Sequence, residues 1–77
     1  MAKSPEYVLY VSFPLNVETM IADTKKVEKI VGKDMGGAGA GFGMRDVEFY
    51  YGGNRLMRDA AAARAKAAGY EVETTDY

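Results

Sequence analysis

"GGAGAGFGMRD", residues 36–46, places five glycines in its first eight positions and then turns abruptly charged. Whether it is strand or loop sets the number of strands in the sheet. If residues 37–42 form a weak edge strand that turns through Gly43, Met44 and Arg45 into a strand at 46–51, the chain reads βαββαβ. If they stay irregular, it is a three-stranded βαβαβ. The four-stranded form is the expectation, because a small sheet gains stability from a further strand and long structureless connections are uncommon in small domains.

The flanking sequence supplies the other elements. Upstream, "EYVLYVSF" (6–13) alternates as a strand: Tyr7, Leu9, Val11 and Phe13 on one face, Val8, Tyr10 and Ser12 on the other. Pro14 lacks the N–H a ladder needs and ends it. Asn16 is placed to cap a helix. Val17, Met20, Ile21, Thr24, Val27, Ile30 and Val31 then follow at helical spacing, with Lys25, Lys26, Glu28 and Lys29 on the polar side. Gly32 stops that helix. Downstream, Val47, Phe49 and Tyr51 alternate with Asp46, Glu48 and Tyr50. Asn54 caps "RLMRDAAAARAKAA" (55–68), Gly69 ends it, and "YEVETTDY" (70–77) alternates once more. Two helices on one side of such a sheet make a two-layer α/β (α+β) sandwich, ferredoxin-like in the four-stranded case, over a single small domain at 1–77.

Composition narrows the chemistry. The chain has 77 residues, no cysteine and no histidine. That removes disulfides, thiol nucleophiles, the commonest metal ligand and the usual general base at neutral pH, so no cofactor or metal is expected. Several acidic residues could pair as acid and base, but an open, solvated sheet gives them nothing to work against, and no enzyme is expected. The N-terminal stretch shows no leader-length apolar run, and no segment has the roughly 20 apolar residues of a membrane span. A cytoplasmic protein is the expectation. The net charge of −1 is neither the basic balance of a phosphate binder nor the strong acidity of a DNA mimic.

The glycines do not read as a nucleotide loop. No start point gives G-x-G-x-x-G, and a helix precedes the run while a strand follows, so a phosphate would not meet a helix N-terminus. An RNA-recognition reading has more to offer. "LYVSFP" (9–14) looks like the first ribonucleoprotein motif, with Tyr10 at the stacking position, and Gly41, Phe42 and Gly43 match the core of the second. Ala40 replaces that motif's leading basic residue, and Met44-Arg45-Asp46 interrupts its continuation. The sheet face away from the helices would carry Val8, Tyr10, Ser12, Asp46, Glu48, Tyr50, Glu71 and Glu73. Its carboxylates repel phosphates, so direct nucleic-acid binding is the lesser reading.

The same face suits a protein partner. Tyrosines are enriched at interface anchors, and the carboxylates around them steer towards a basic patch. The partner-binding set is therefore Tyr10, Asp46, Glu48, Tyr50, Glu71 and Glu73, with Phe42 and Met44 as apolar anchors of the glycine edge. That edge leaves main-chain groups unobstructed for a partner's strand or a second copy, a route to homo-oligomers. Lysines and arginines gather on the helices: Lys25, Lys26, Lys29 and Lys33 on the first, Arg55, Arg58, Arg64 and Lys66 on the second.

In size, in layout, in its lack of catalytic residue types and in the glycine run leading into "MRDVEFYY" (44–51), the chain resembles the compact α/β proteins encoded by bacteriophages and other mobile elements, anti-CRISPR proteins among them. The resemblance implies an inhibitor that occupies a CRISPR effector complex and blocks DNA capture or nuclease recruitment in the bacterial cytoplasm. That class shares no common motif, so it assigns no role to any single residue.

Overall fold

The computed structural model describes residues 5–77. The chain runs β1 (Tyr7–Pro14), α1 (Met20–Val31), β2 (Gly37–Gly41), β3 (Met44–Tyr50), α2 (Arg55–Ala67) and β4 (Glu71–Asp76). The sheet order is β2-β3-β1-β4, with every neighbouring pair antiparallel. This is the four-stranded, ferredoxin-like βαββαβ sandwich, with the glycine strand at one edge. Residues 1–4, at the start of the stretch read for a leader, lie outside the described residues.

The hairpin of β2 and β3 turns earlier than the sequence suggests. Phe42 (φ 53°) and Gly43 (φ 76°) form its whole loop. Two successive left-handed residues make the type I′ turn whose twist matches the flanking strands. Met44 and Arg45, expected in the turn, already pair with Pro14 and Phe13. Pro14 itself stays in the sheet as the last residue of β1.

Gly36 has a different reason to be glycine. Its N–H donates to the Glu48 carbonyl at 2.8 Å, although Gly37 is the register partner of Glu48, so one extra residue bulges at the strand's entrance. A Cβ on Gly36 would lie 2.2 Å from Cδ2 of Tyr50. The Tyr50 ring therefore rests against bare backbone.

Alternation places Leu9, Val11, Phe13, Val47 and Phe49 beneath the helices, where they form the core with Val27 and Val31 of α1 and Ala61 and Ala65 of α2. The alanines let α2 lie close to the sheet. Asn54 caps α2 as expected, its Oδ1 accepting from the Met57 N–H at 3.1 Å, and Gly32 ends α1 in the left-handed region (φ 80°).

The start of α1 differs from the expectation. Asn16 closes a turn instead, accepting from the N–H of Glu18 on its side chain and from that of Thr19 on its carbonyl. The helix begins at Met20, where the Thr19 hydroxyl bonds Asp23 at 2.7 Å. Val17 and Ile21, read as part of the buried stripe, are 79% and 71% exposed. A short polar side chain that satisfies a turn locally competes with the helix it was expected to start.

The second helix's basic strip is also corrected. Arg58 is only 3% exposed. It donates to Asp76 at 2.6 Å, to the Thr75 carbonyl at 3.3 Å and to Asp59 at 2.9 Å, and it stands 5.2 Å from the Tyr7 ring centroid. Arg64 reaches across to α1 and donates to the carbonyls of Ile30 and Val31. Those are orphan acceptors at a helix C-terminus, where a cation is also favoured by the helix dipole. Two of the four cations gathered on α2 therefore tie it to its neighbours rather than lining an open surface.

Candidate functional site: the open sheet face

Register decides which side chains share the face away from the helices. Ser12 pairs with Asp46 and Glu71, Tyr10 with Glu48 and Glu73, and Val8 with Tyr50 and Thr75. Directly opposed residues of an antiparallel pair point to the same side. The face therefore gathers Tyr10, Asp46, Glu48, Tyr50, Glu71 and Glu73, and Met44 joins it opposite Pro14. On β2 it presents only Gly37, Gly39 and Gly41. Phe42 stands apart at the hairpin tip, fully exposed.

One expected member is not available there. Val8 lies on this face by register but is 0% exposed. Its cross-strand partners are Tyr50 and Thr75, and the bonded Tyr10–Tyr77 pair sits one step along. In β1, alternation fixed the side of the sheet but not the burial, because large aromatic neighbours can roof a small residue. Thr75 joins the face on the side that period two gives to Glu71 and Glu73, and Tyr77 is an addition that the same count, carried to the end of the chain, would have found.

All three phenols of the face, Tyr10, Tyr50 and Tyr77, are held within the molecule. The hydroxyls of Tyr10 and Tyr77 are 3.0 Å apart, and that hydrogen bond, helped by burial and by nearby Glu48, pushes the Tyr10 phenol up to about 12 from 10.0. The Tyr50 hydroxyl donates to the Glu48 carboxylate, which raises the Tyr50 pKa as well. Ser12 donates to Asp46 at 2.6 Å. These contacts fix ring positions before any partner arrives and lower the entropy lost on binding.

They also predict an alkaline transition. A phenol whose folded pKa is raised contributes stability that is whole below the unfolded value of 10.0 and is lost as pH rises towards about 12. Tyrosinate absorbance should show a late-titrating phenol that Tyr10→Phe removes. Stability should hold to about pH 9 and then fall. A protein whose tyrosines all titrate together near the ordinary value would contradict the pairing.

The charges of the face are one-sided. The ion pairs among the described residues are Arg55–Asp59, Arg58–Asp59 and Arg58–Asp76, and all belong to the helix side and its margin. Asp46, Glu48, Glu71 and Glu73 take part in none. No lysine or arginine among the described residues shares their face, since Arg45 points to the helices, where its Nε donates to Thr24. Among the same residues, no group of three His, Cys, Asp or Glu side chains is set to hold a metal.

Two hollows sit near these groups. One of about 340 Å³ lies on the face between Tyr10, Ser12, Asp46, Glu73 and Thr75. A larger one, about 550 Å³, opens between the helix ends beside Lys33, Tyr51, Asn54 and Arg64. The larger is the less suggestive of the two, because Arg64 is engaged in capping α1 and the Lys33 ammonium lies over the Tyr51 ring at 5.4 Å.

The molecule is thus a ferredoxin-like sandwich with an acidic, tyrosine-bearing sheet face. Compared with family models, with curated proteins and with solved structures, the chain matches none of them. No helix of the described residues is long and apolar enough to cross a membrane.

Proposed function

We propose that the chain is a non-enzymatic protein-binding domain whose open sheet face covers a basic, nucleic-acid-binding surface of another protein. Its most specific form is a phage-type inhibitor of the anti-CRISPR kind, acting in the cytoplasm of a bacterial host on a CRISPR effector complex. One observation carries the reading: among the described residues, four carboxylates without an ion pair share a face with three phenols and no cation. Such a face repels phosphates and attracts the lysines and arginines that bind them. The preset tyrosines supply contact area at low entropic cost.

The test uses the intact chain as bait in nuclease-treated bacterial lysate, beside a variant carrying Glu48→Lys, Glu71→Lys and Glu73→Lys. The wild type is expected to retain a basic partner that added DNA displaces. The variant should bind on the order of a hundredfold more weakly, with an unchanged thermal melt. Equal capture by both rejects the face. Salt-dependent binding of single-stranded RNA that Tyr10→Ala abolishes would replace the proposal with direct nucleic-acid recognition.

A further inference from the structure

We infer that β2 is a self-association edge, at which two copies of this chain pair antiparallel about a two-fold axis through Gly39. This is independent of what the acidic face binds.

Hydrogen-bond parity shows which groups are unused. The N–H of Leu15 donates to the Gly43 carbonyl and that of Tyr51 to the Tyr7 carbonyl, so odd-numbered residues of β3 address β1 and even-numbered ones address β2. The register Gly37↔Glu48, Gly39↔Asp46, Gly41↔Met44 therefore commits the amides of residues 37, 39 and 41 to β3. Ala38 and Ala40, both exposed, turn their N–H and C=O groups outward from the sheet.

Charge favours a second copy at this edge and disfavours one at the other. Natural edges are commonly guarded by charges or proline. The segment 35–44 has neither, whereas β4 carries Glu71, Glu73 and Asp76 and would meet the same charges on a copy of itself. Two β2 strands bring no like charges directly together; the nearest carboxylates, Asp46 and Glu48, stand one strand back on β3.

The sequence is also its own complement. "GAGAG" (37–41) reads the same in both directions, so a two-fold axis at Gly39 sets Ala38 opposite Ala40 of the second copy, twice, with their outward groups in register for four hydrogen bonds. Gly39 faces Gly39 of the second copy in the closer, non-bonded type of pair. An interface that maps onto itself is the condition for a closed dimer. Glycine weakens a strand interior, and the fold does not require it here: a Cβ on Gly39 or Gly41 would meet nothing within 4 Å. Close approach of another backbone does account for it.

Phe42 supplies an independent sign. It is fully exposed and holds φ 53°, a region bulky side chains rarely enter. In the same register it falls opposite Gly36 of the second copy, next to that copy's partly exposed Met35. A hollow of about 160 Å³ lined in part by Ile21 and Met35 adjoins this position. The axis stands perpendicular to the sheet, so both acidic faces end on the same side of one eight-stranded sheet. The contact is small, and interfaces below about 1,200 Å² are weak, so association is concentration-dependent.

The chain has no cysteine, so single thiols report the register. Gly39→Cys should form a disulfide-linked dimer under mild oxidation at least about tenfold faster than Gly53→Cys, a control in an open turn. Ala38→Cys alone should link poorly, and a mixture of Ala38→Cys with Ala40→Cys should link well. Because a thiol could disturb the edge, sedimentation equilibrium provides a second reading. The wild-type mass should rise towards the dimer with concentration. That of Phe42→Asn, which suits the turn better, should stay monomeric. Gly39→Cys oxidising no faster than Gly53→Cys, efficient linking of Ala38→Cys with itself, or a wild type that is monomeric at about 1 mM, well above the range of stable dimers, would each overturn the inference.

Discussion

Arg58→Ala should cost about 3 kcal/mol and lower the melting midpoint by on the order of 15 °C. The side chain is 4% exposed and holds three acceptors: the Asp76 carboxylate, the Thr75 carbonyl and Asp59. Its guanidinium also covers the Tyr7 ring. Alanine removes the charge-assisted bonds and leaves a void between α2 and the end of β4. A core of this size rarely supplies more than roughly 3–5 kcal/mol, so the loss consumes most of the margin. Arg58→Lys keeps a charge but not the forked donors, and should fall between the two. A circular-dichroism melt reads the effect directly, and a loss under about 1 kcal/mol, the range of an exposed ion pair, would show that the buried arginine is not a clasp.

Phe49→Ala should leave no cooperatively folded protein at room temperature. Phe49 is fully buried at the centre of the sheet, beside Leu9 across the β1–β3 ladder. Truncating a buried phenylalanine costs about 3–5 kcal/mol, which equals what the core supplies. The expected signs are collapsed amide dispersion in a proton–nitrogen spectrum and a melt without a sigmoid. A sharp transition at the wild-type midpoint would mean that stability resides elsewhere. Phe42 is the opposite case. The same residue type seven positions earlier contributes nothing to the core, because it sits at a hairpin tip in full contact with water.

The contrasts between sequence and structure have definite causes. β1, β3 and β4 were legible because a half-buried strand must alternate, and Leu9, Val11, Val47 and Phe49 do so against Tyr10, Ser12, Asp46, Glu48 and Tyr50. The cap at Asn54 and the stop at Gly32 were legible because both depend on bonds within one turn of chain. Asn16 was misread for the same kind of reason: its side chain had two local uses, and sequence does not rank them. The hairpin tip was displaced because the two-residue loop is closed here by left-handed backbone at both Phe42 and Gly43, and phenylalanine does not advertise that conformation.

Much of the site was visible too. Period two assigned Tyr10, Asp46, Glu48, Tyr50, Glu71 and Glu73 to one side, and antiparallel register brought them together. What escaped was long-range: the Tyr10–Tyr77 bond spans nearly the whole chain, and the roofing of Val8 needs side chains from separate strands.

Periodicity and charge along a few neighbouring residues fixed the sides of the strands, the two helices and the sign of the open face, and left the glycine segment open between strand and loop. Long-range packing alone set a ring against Gly36, drew Arg58 and Arg64 out of solvent to clamp α2, made a strand of the glycine segment and turned the unused backbone groups of Ala38 and Ala40 outward. Each of those depends on atoms brought together from distant parts of the chain, and local patterns carry no record of such meetings.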